Sequence, residues 1–398
     1  MSYRAIYAYP WNLADEGVSE VIGTVGALGI DTITVAGSYH AGKFLHPHGR
    51  SGKVYFPEDG TVYFTADPDR YGKIKPVLSS LVRERDILRE ISESRQVATN
   101  VWLVLLHNSR LGELHPQSTV KNAFGDPYIY SLCPSAPDAR EYAVALCKDV
   151  TDSYPVTGIS LETPGFLPYA HGYHHEFAMV KSTKWLDSRL GLCFCDYCVK
   201  GSEAAGVDAS RLKVHVREDV EAYLAGDIDF PDDMAEAFWL SDVTTNRTLS
   251  SFLNWRCDVV ASLVREIRES VRADANVAVI PSVARPTGGA WYEGSDLRAL
   301  AAAAGIVEAC FYEPSAERVR ADIYDTQRRL NGTGTLRGIL RPSFPDLGSR
   351  SEVVAAARAL HEAGISGVAF YNYGHLRRSN LSWIADALAV FGECALGE

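Results

Sequence analysis

The chain has no uninterrupted apolar stretch of about 18 residues, so a helical membrane span is not expected. Its start, Met1-Ser2-Tyr3-Arg4, leads straight into the strand-like segment 5–9. No charged segment followed by an apolar one stands before it, so a secretory signal is not expected and the cytoplasm is the default location. Cations are in short supply: 39 Lys and Arg face 50 Asp and Glu, a net charge of -11. That balance argues against nucleic acid as the main partner, because phosphate binding needs clustered Lys and Arg. The helical H-E-x-x-H zinc motif is missing. So are internal repeats, low-complexity runs and a glycine-rich phosphate turn after the first strand, where Tyr9-Pro10-Trp11-Asn12 stands instead. Eight cysteines in 398 residues do not make a small disulfide scaffold, and a close-spaced set in a chain without a signal points to metal. At 46% hydrophobic and 22% charged residues, the composition is that of an ordinary globular protein.

The chain alternates strand and helix. Short runs rich in β-branched and aromatic residues, bounded by Gly, Asp, Asn or Pro, read as strands at 4–9, 32–37, 101–107, 158–162, 277–282, 307–313, 336–341 and 367–373. Helical spacing fills the intervals, for example Val18, Val21, Ile22, Val25 and Leu28, or Leu253, Val260, Leu263, Val264 and Ile267. Such alternation predicts parallel βαβ units, and eight of them predict a (β/α)8 TIM barrel of the α/β class, with a doubly wound sheet as the alternative. Helix-to-strand connections are short. Strand-to-helix loops are long after strands two, three and four, at about 38–75, 108–137 and 163–208. Loops of that size are usually functional, and in a barrel they all emerge on the face that carries chemistry. The expected organisation is one barrel domain over 1–398, with insertions at about 38–75, 108–137 and 163–245. Within the first, Lys53 to Phe64 reads as a β-hairpin around Asp59-Gly60.

Two carboxylates close strands: Glu162 the fourth, Glu313 the sixth. A pair of carboxyls about 5–5.5 Å apart suits retaining cleavage of a glycosidic bond, and roughly 6.5–9.5 Å suits inversion. The sequence leaves that choice open, and each Glu has the alternative of capping a helix or pairing with an Arg. Other strand ends offer His107 and Asn108, Arg285, Arg341, and Tyr371 with Tyr373, groups that hydrogen-bond sugar hydroxyls. Among 20 tyrosines and 7 tryptophans, Trp11, Tyr39, Trp291 and Tyr373 stand on expected mouth loops, where a ring can stack on the apolar face of a sugar. The run His171-Gly172-Tyr173-His174-His175-Glu176 is dense in imidazole. We read His171, His174 and His175 as substrate contacts, with a metal-binding turn as the alternative. His40, His46 and His48 form a weaker version of the same signal.

Cys193-Phe194-Cys195-Asp196-Tyr197-Cys198 puts three sulfurs within reach of one soft cation. A closed structural zinc site takes four ligands. Cys133 is the best fourth, since it lies in the loop after strand three on the same barrel face. Cys147, Cys257, Cys310 and Cys394 read as ordinary thiols.

The segment Leu132-Cys133-Pro134-Ser135-Ala136-Pro137 with Arg140-Glu141-Tyr142, followed by Cys193 to Cys198, resembles the four-cysteine zinc arrangement of glycoside hydrolase family 42 β-galactosidases. The resemblance covers mainly residues 130–200. It implies a TIM barrel, a structural zinc on Cys133, Cys193, Cys195 and Cys198, and an acid/base on strand four at Glu162. Two positions depart from the family pattern. Leu161 stands where the family has Asn, and strand seven ends Leu340-Arg341-Pro342, without the family's nucleophilic carboxylate.

These observations lead to a cytoplasmic glycoside hydrolase or hydrolase-like enzyme acting on a small sugar or glycoside. Glu162 is the expected general acid, Glu313 the nucleophile or base, and zinc a structural cofactor. Two competitors remain: a metal-dependent sugar isomerase, epimerase or lyase using His171, His174, His175, Glu176 and Glu162, and a carbohydrate-binding barrel without catalysis. The oligomeric state stays open, a homo-oligomer included.

Overall fold

The eight strand segments are rich in β-branched, aromatic and small residues, so both of their faces can be covered. In the computed structural model, which describes residues 3–171, 173 and 176–392, all eight form strands. They are β1 (Arg4–Ala8), β2 (Thr32–Tyr39), β3 (Ala98–Val104), β4 (Gly158–Glu162), β5 (Asn276–Val279), β6 (Gly305–Cys310), β7 (Thr335–Leu340) and β8 (Gly367–Phe370). Neighbours in chain order pair in parallel, and β8 pairs with β1, so the sheet closes on itself. Helices ring it, among them Val18–Gly26, Ile87–Ser94, Pro137–Ser153, Arg247–Ser270 and Ala316–Leu330. This is the expected (β/α)8 barrel.

Alternation along the strands separates two cores. Ile6, Val35, Leu103, Leu161, Val307 and Phe370 belong to the layer between sheet and helices. Tyr7, Ala36, Trp102, Cys310, Ile339 and Ala369 fill the barrel interior. That parity decides which polar residue at each strand end meets the mouth.

The loop after β2 differs from expectation. Val54–Tyr55 pairs with Phe44–Leu45, whereas Thr61–Val62 pairs with Ser38 and Tyr39 at the end of β2. The hairpin around Asp59-Gly60 does not form, because each of its arms finds a different partner. Gly60 instead sits at φ 60°, where Asn108 Nδ2 donates to its carbonyl at 3.2 Å. After β4, the helices Lys184–Leu190, Asp196–Ala204, Ala209–Ala225 and Asp232–Thr245 cover a second apolar core that includes Leu186, Phe194, Leu212, Trp239 and Phe252. Among the described residues, no helix is long and apolar enough to cross a membrane.

Phe252 is fully buried and stacks on Phe194 with ring centroids 5.2 Å apart. Phe252→Ala should cost about 3–5 kcal/mol through lost burial and the cavity left behind, read as a lowered denaturant midpoint.

Candidate functional site

At the carboxyl end of the strands a cavity of about 220 Å3 opens, with Tyr7, Tyr39, Trp102, Glu162, Tyr312, Arg341 and Tyr371 in its wall. Ile159 and Leu161 pack outward against helices, so the period of two turns Ser160 and Glu162 inward. Trp102 Nε1 donates to Glu162 Oε2. Burial pushes the Glu162 carboxyl up to about 7, opposed by the indole bond, which favours the anion. A carboxyl poised there can hold a proton near neutrality and still release it.

Below Glu162 lies a buried polar chain. Asn100 Nδ2 donates to Ser160 Oγ at 2.8 Å, and Ser160 Oγ donates to Glu308 Oε2 at 2.9 Å. Glu308 is fully buried. Glu293 is buried too, at the end of the helical turn Thr287–Glu293, and accepts from Ser282 Oγ at 2.6 Å. Burial pushes Glu293 up to about 7 and the charge of Glu162 adds to the rise, against the Ser282 bond and Arg256.

Glu313 is placed differently. Cys310 and Tyr312 belong to the interior core and Phe311 to the outer layer, so position 313 falls on the outward parity. Its Oε2 accepts from Arg318 Nε at 2.6 Å on the helix that follows. It is 1% exposed and is not part of the wall around Glu162.

Of the remaining sequence candidates, His40, His171, Arg341 and Tyr371 meet Glu162 in the cavity wall. His107 stands behind them, stacked on His40 at 4.3 Å, with its Nδ1 3.2 Å from His171 Nε2. Burial and the neighbouring imidazoles push His107 down to about 2 and His171 down to about 4. Both are therefore neutral at physiological pH and act as single donors and acceptors. Tyr371 Oη lies 2.8 Å from Tyr9 Oη, which lies 3.0 Å from Tyr39 Oη. Arg285 sits at the rim, its Nη1 donating to Tyr312 O at 2.8 Å and to Asp346 Oδ1 at 2.9 Å. His174 and His175 lie outside the described residues.

Four candidates serve the framework rather than the cavity wall. Trp11 stacks between Tyr9 at 4.3 Å and Tyr55 at 4.8 Å, its Nε1 donating to His46 Nε2. Asn108 caps the helix Ser109–Leu114 through its Oδ1. Trp291 packs against the second core, stacked near Trp239. Tyr373 is buried and donates to Glu16 Oε2 at 3.0 Å.

The four sulfurs of Cys133, Cys193, Cys195 and Cys198 are buried and within 4.8 Å of one another. Cys133 Sγ lies 3.9 Å from Cys193 Sγ, 3.5 Å from Cys198 Sγ and 3.7 Å from Cys195 Sγ. Ligands about 2.3 Å from a tetrahedral ion stand about 3.8 Å apart, so the spacing fits a thiolate-bound ion. The amides of Lys121 and Ser135 each donate to one of these sulfurs at 3.4 Å. Burial drives the Cys133 and Cys198 thiols up, whereas hydrogen bonds with the other three cysteines hold the Cys195 thiol down.

Sequence reading passed over Trp102, Glu293, Glu308 and Asp346. Glu308 carried a signal, being an acid within the apolar strand Gly305–Cys310. Trp102 carried one too, two residues from Val104 on the same interior face.

No protein-family model and no curated protein matches the chain. Solved structures do match it in fold. The glycoside hydrolase domain of PgaB (BpsB) from Bordetella bronchiseptica superposes with a TM-score of 0.58 at 13% identity, over 100% of each chain. The catalytic domain of β-amylase from Paenibacillus polymyxa gives 0.58 at 12% identity, over 98% of this chain and 97% of that one. The α-L-fucosidase isoenzyme 2 from Paenibacillus thiaminolyticus gives 0.51 at 14% identity over 98% of this chain; the match spans about half of the fucosidase, 49% of its length. All three are sugar-cleaving enzymes by name, and at such identities the likeness establishes a common barrel fold.

Proposed function

We propose that the chain is a glycoside hydrolase acting on a small sugar or glycoside. The observation that carries this reading is Glu162, a carboxyl raised to about 7 in an aromatic bowl at the carboxyl end of a barrel. Aromatic walls suit the apolar face of a sugar ring, and barrel enzymes work at this face. The named activities of the fold neighbours, a glycoside hydrolase domain, an amylase and a fucosidase, support the same class. In this reading Glu162 gives its proton to the glycosidic oxygen as the bond to the anomeric carbon breaks. Water supplies the hydroxyl that the sugar gains, and its remaining proton restores the acid. Glu293 is our choice for the second carboxylate, because it is buried beside Ser282 and feels the charge of Glu162, while Glu313 is engaged by Arg318. The isomerase reading leans on His174 and His175, which the described residues do not include.

We assign a structural zinc ion to Cys133, Cys193, Cys195 and Cys198, in line with the resemblance to family 42 β-galactosidases. It would tie the loop after β3 to the helical insertion after β4. Reduced thiolates of this kind suit the cytoplasm.

A general acid must be protonated to act, so kcat/KM should fall as pH rises through about 7. Glu162→Gln should lose about 10²–10⁴-fold in kcat and the basic limb with it, measured on a panel of aryl glycosides. The raised carboxyl also bears on stability. Its contribution is full below the ordinary carboxylate range and lost as pH rises through about 7. Glu162→Gln should therefore gain on wild type across that window, by at most about 1.4 kcal/mol per pH unit. Glu293→Gln should depress kcat strongly, whereas Glu313→Gln should mainly lower the melting temperature; the reverse pattern would return the role to Glu313. Elemental analysis should find one zinc per chain. Stripping it should lower the melting temperature, while the fraction that stays folded keeps its turnover.

A further inference from the structure

Among the described residues, the cavity wall holds one formal cation, and its surroundings leave it under-used. Ile339 belongs to the interior core and Leu340 to the outer layer, so Arg341 at the end of β7 turns into the mouth, where it forms part of the wall around Glu162. Its guanidinium lies 3.9 Å from the centroid of the Tyr312 ring and 5.5 Å from that of Tyr371. Arg341 Nη1 stands 3.0 Å from Asp346 Oδ2. Asp346 serves two cations, since Arg285 Nη1 is 2.9 Å from its other oxygen. The group of three therefore keeps a surplus positive charge. Arg341 Nε is buried and has no hydrogen-bond partner among the described residues, and an orphaned buried donor is costly unless a ligand completes it. A guanidinium presents its donors as a planar fork that matches a carboxylate, and the pairing gains in a site screened from water.

Resting on the hydrolase reading above, we propose that the bowl takes a sugar bearing a carboxylate, with Arg341 as the group that selects it. The acidic sugar would place its carboxylate against the fork of Arg341 and its ring against Tyr312 or Tyr371, with the anomeric carbon toward Glu162. A neutral hexose in the same place leaves the Arg341 donors unmatched, and sites built around a polar partner reject analogues that lack it.

The test compares 4-nitrophenyl glucuronides and galacturonides, as both anomers, with the corresponding glucosides and galactosides, using the full chain. The proposal expects kcat/KM on one uronide to exceed that on its neutral counterpart by about 100-fold or more. Arg341→Gln should abolish that preference, and Arg341→Lys, which keeps the charge but not the fork, should restore part of it. Equilibrium binding of glucuronate and galacturonate against glucose and galactose gives a readout that needs neither turnover nor a variant. Cleavage of neutral glycosides as good as that of uronides, dependent on Glu162, would overturn the acidic-sugar proposal and leave the hydrolase reading standing. Tight uronate binding lost in Arg341→Gln, with no cleavage of any glycoside, would support the proposal and remove the hydrolase reading. Uronates that bind no better than the neutral sugars overturn it outright.

Discussion

Closure of the β-sheet fixes the parity of every strand, and the chemistry of the mouth follows from that parity. A closed barrel leaves no edge along which a strand can slip, so inward and outward positions are set for good. Glu162, Cys310, Tyr312 and Arg341 face the cavity because their strands present those positions to the interior. Glu313 sits one residue out of phase with Tyr312 and is claimed by Arg318 of the next helix. Two acids that look alike in sequence, one ending β4 and one following β6, are thereby given opposite tasks, one facing the cavity and one bracing the wall.

The environment of Glu162 then follows from its neighbours rather than from a charge pair. The side chain stands among aromatic rings, two of which, Tyr39 and Tyr371, have their hydroxyls within hydrogen-bond distance of Tyr9 Oη. Burial raises the carboxyl, and only the Trp102 indole pulls the other way. Desolvation of this kind favours the protonated acid without any second carboxylate in contact. The histidines at the same mouth are pushed in the neutral direction by the same cause, so among the described residues of the wall the Arg341 guanidinium and the Glu162 carboxyl stand amid neutral dipoles.

Much of the fold was legible in the sequence. Eight apolar runs separated by helical stripes are a period signal that needs no tertiary information, and all eight strands are there. The cysteine spacing was equally legible: Cys133 is distant from Cys193 in the chain, yet barrel order brings the loops after β3 and β4 together. Glu162 could be read because it ends a clean strand. The outward parity of Glu313 was not legible, because the strand of β6 stops at Cys310 and three residues of chain beyond it hid the phase. Glu293 ends a short helical turn and Asp346 lies on a loop, segments too short to carry a period, so only tertiary packing says what their side chains meet. The hairpin after β2 failed for a related reason, since Asp59-Gly60 marks a turn but does not say which strands its flanks will join.

Much of the helical segment after β4 packs in a core of its own, while its Cys193, Cys195 and Cys198 belong to the barrel core and Trp255 packs against both. Changes deep within that segment and changes within the barrel share few neighbours, so their energetic effects should add rather than couple. Substitutions around Leu212, Trp239 and Phe252 should therefore leave the strands that aim Glu162 and Arg341 undisturbed.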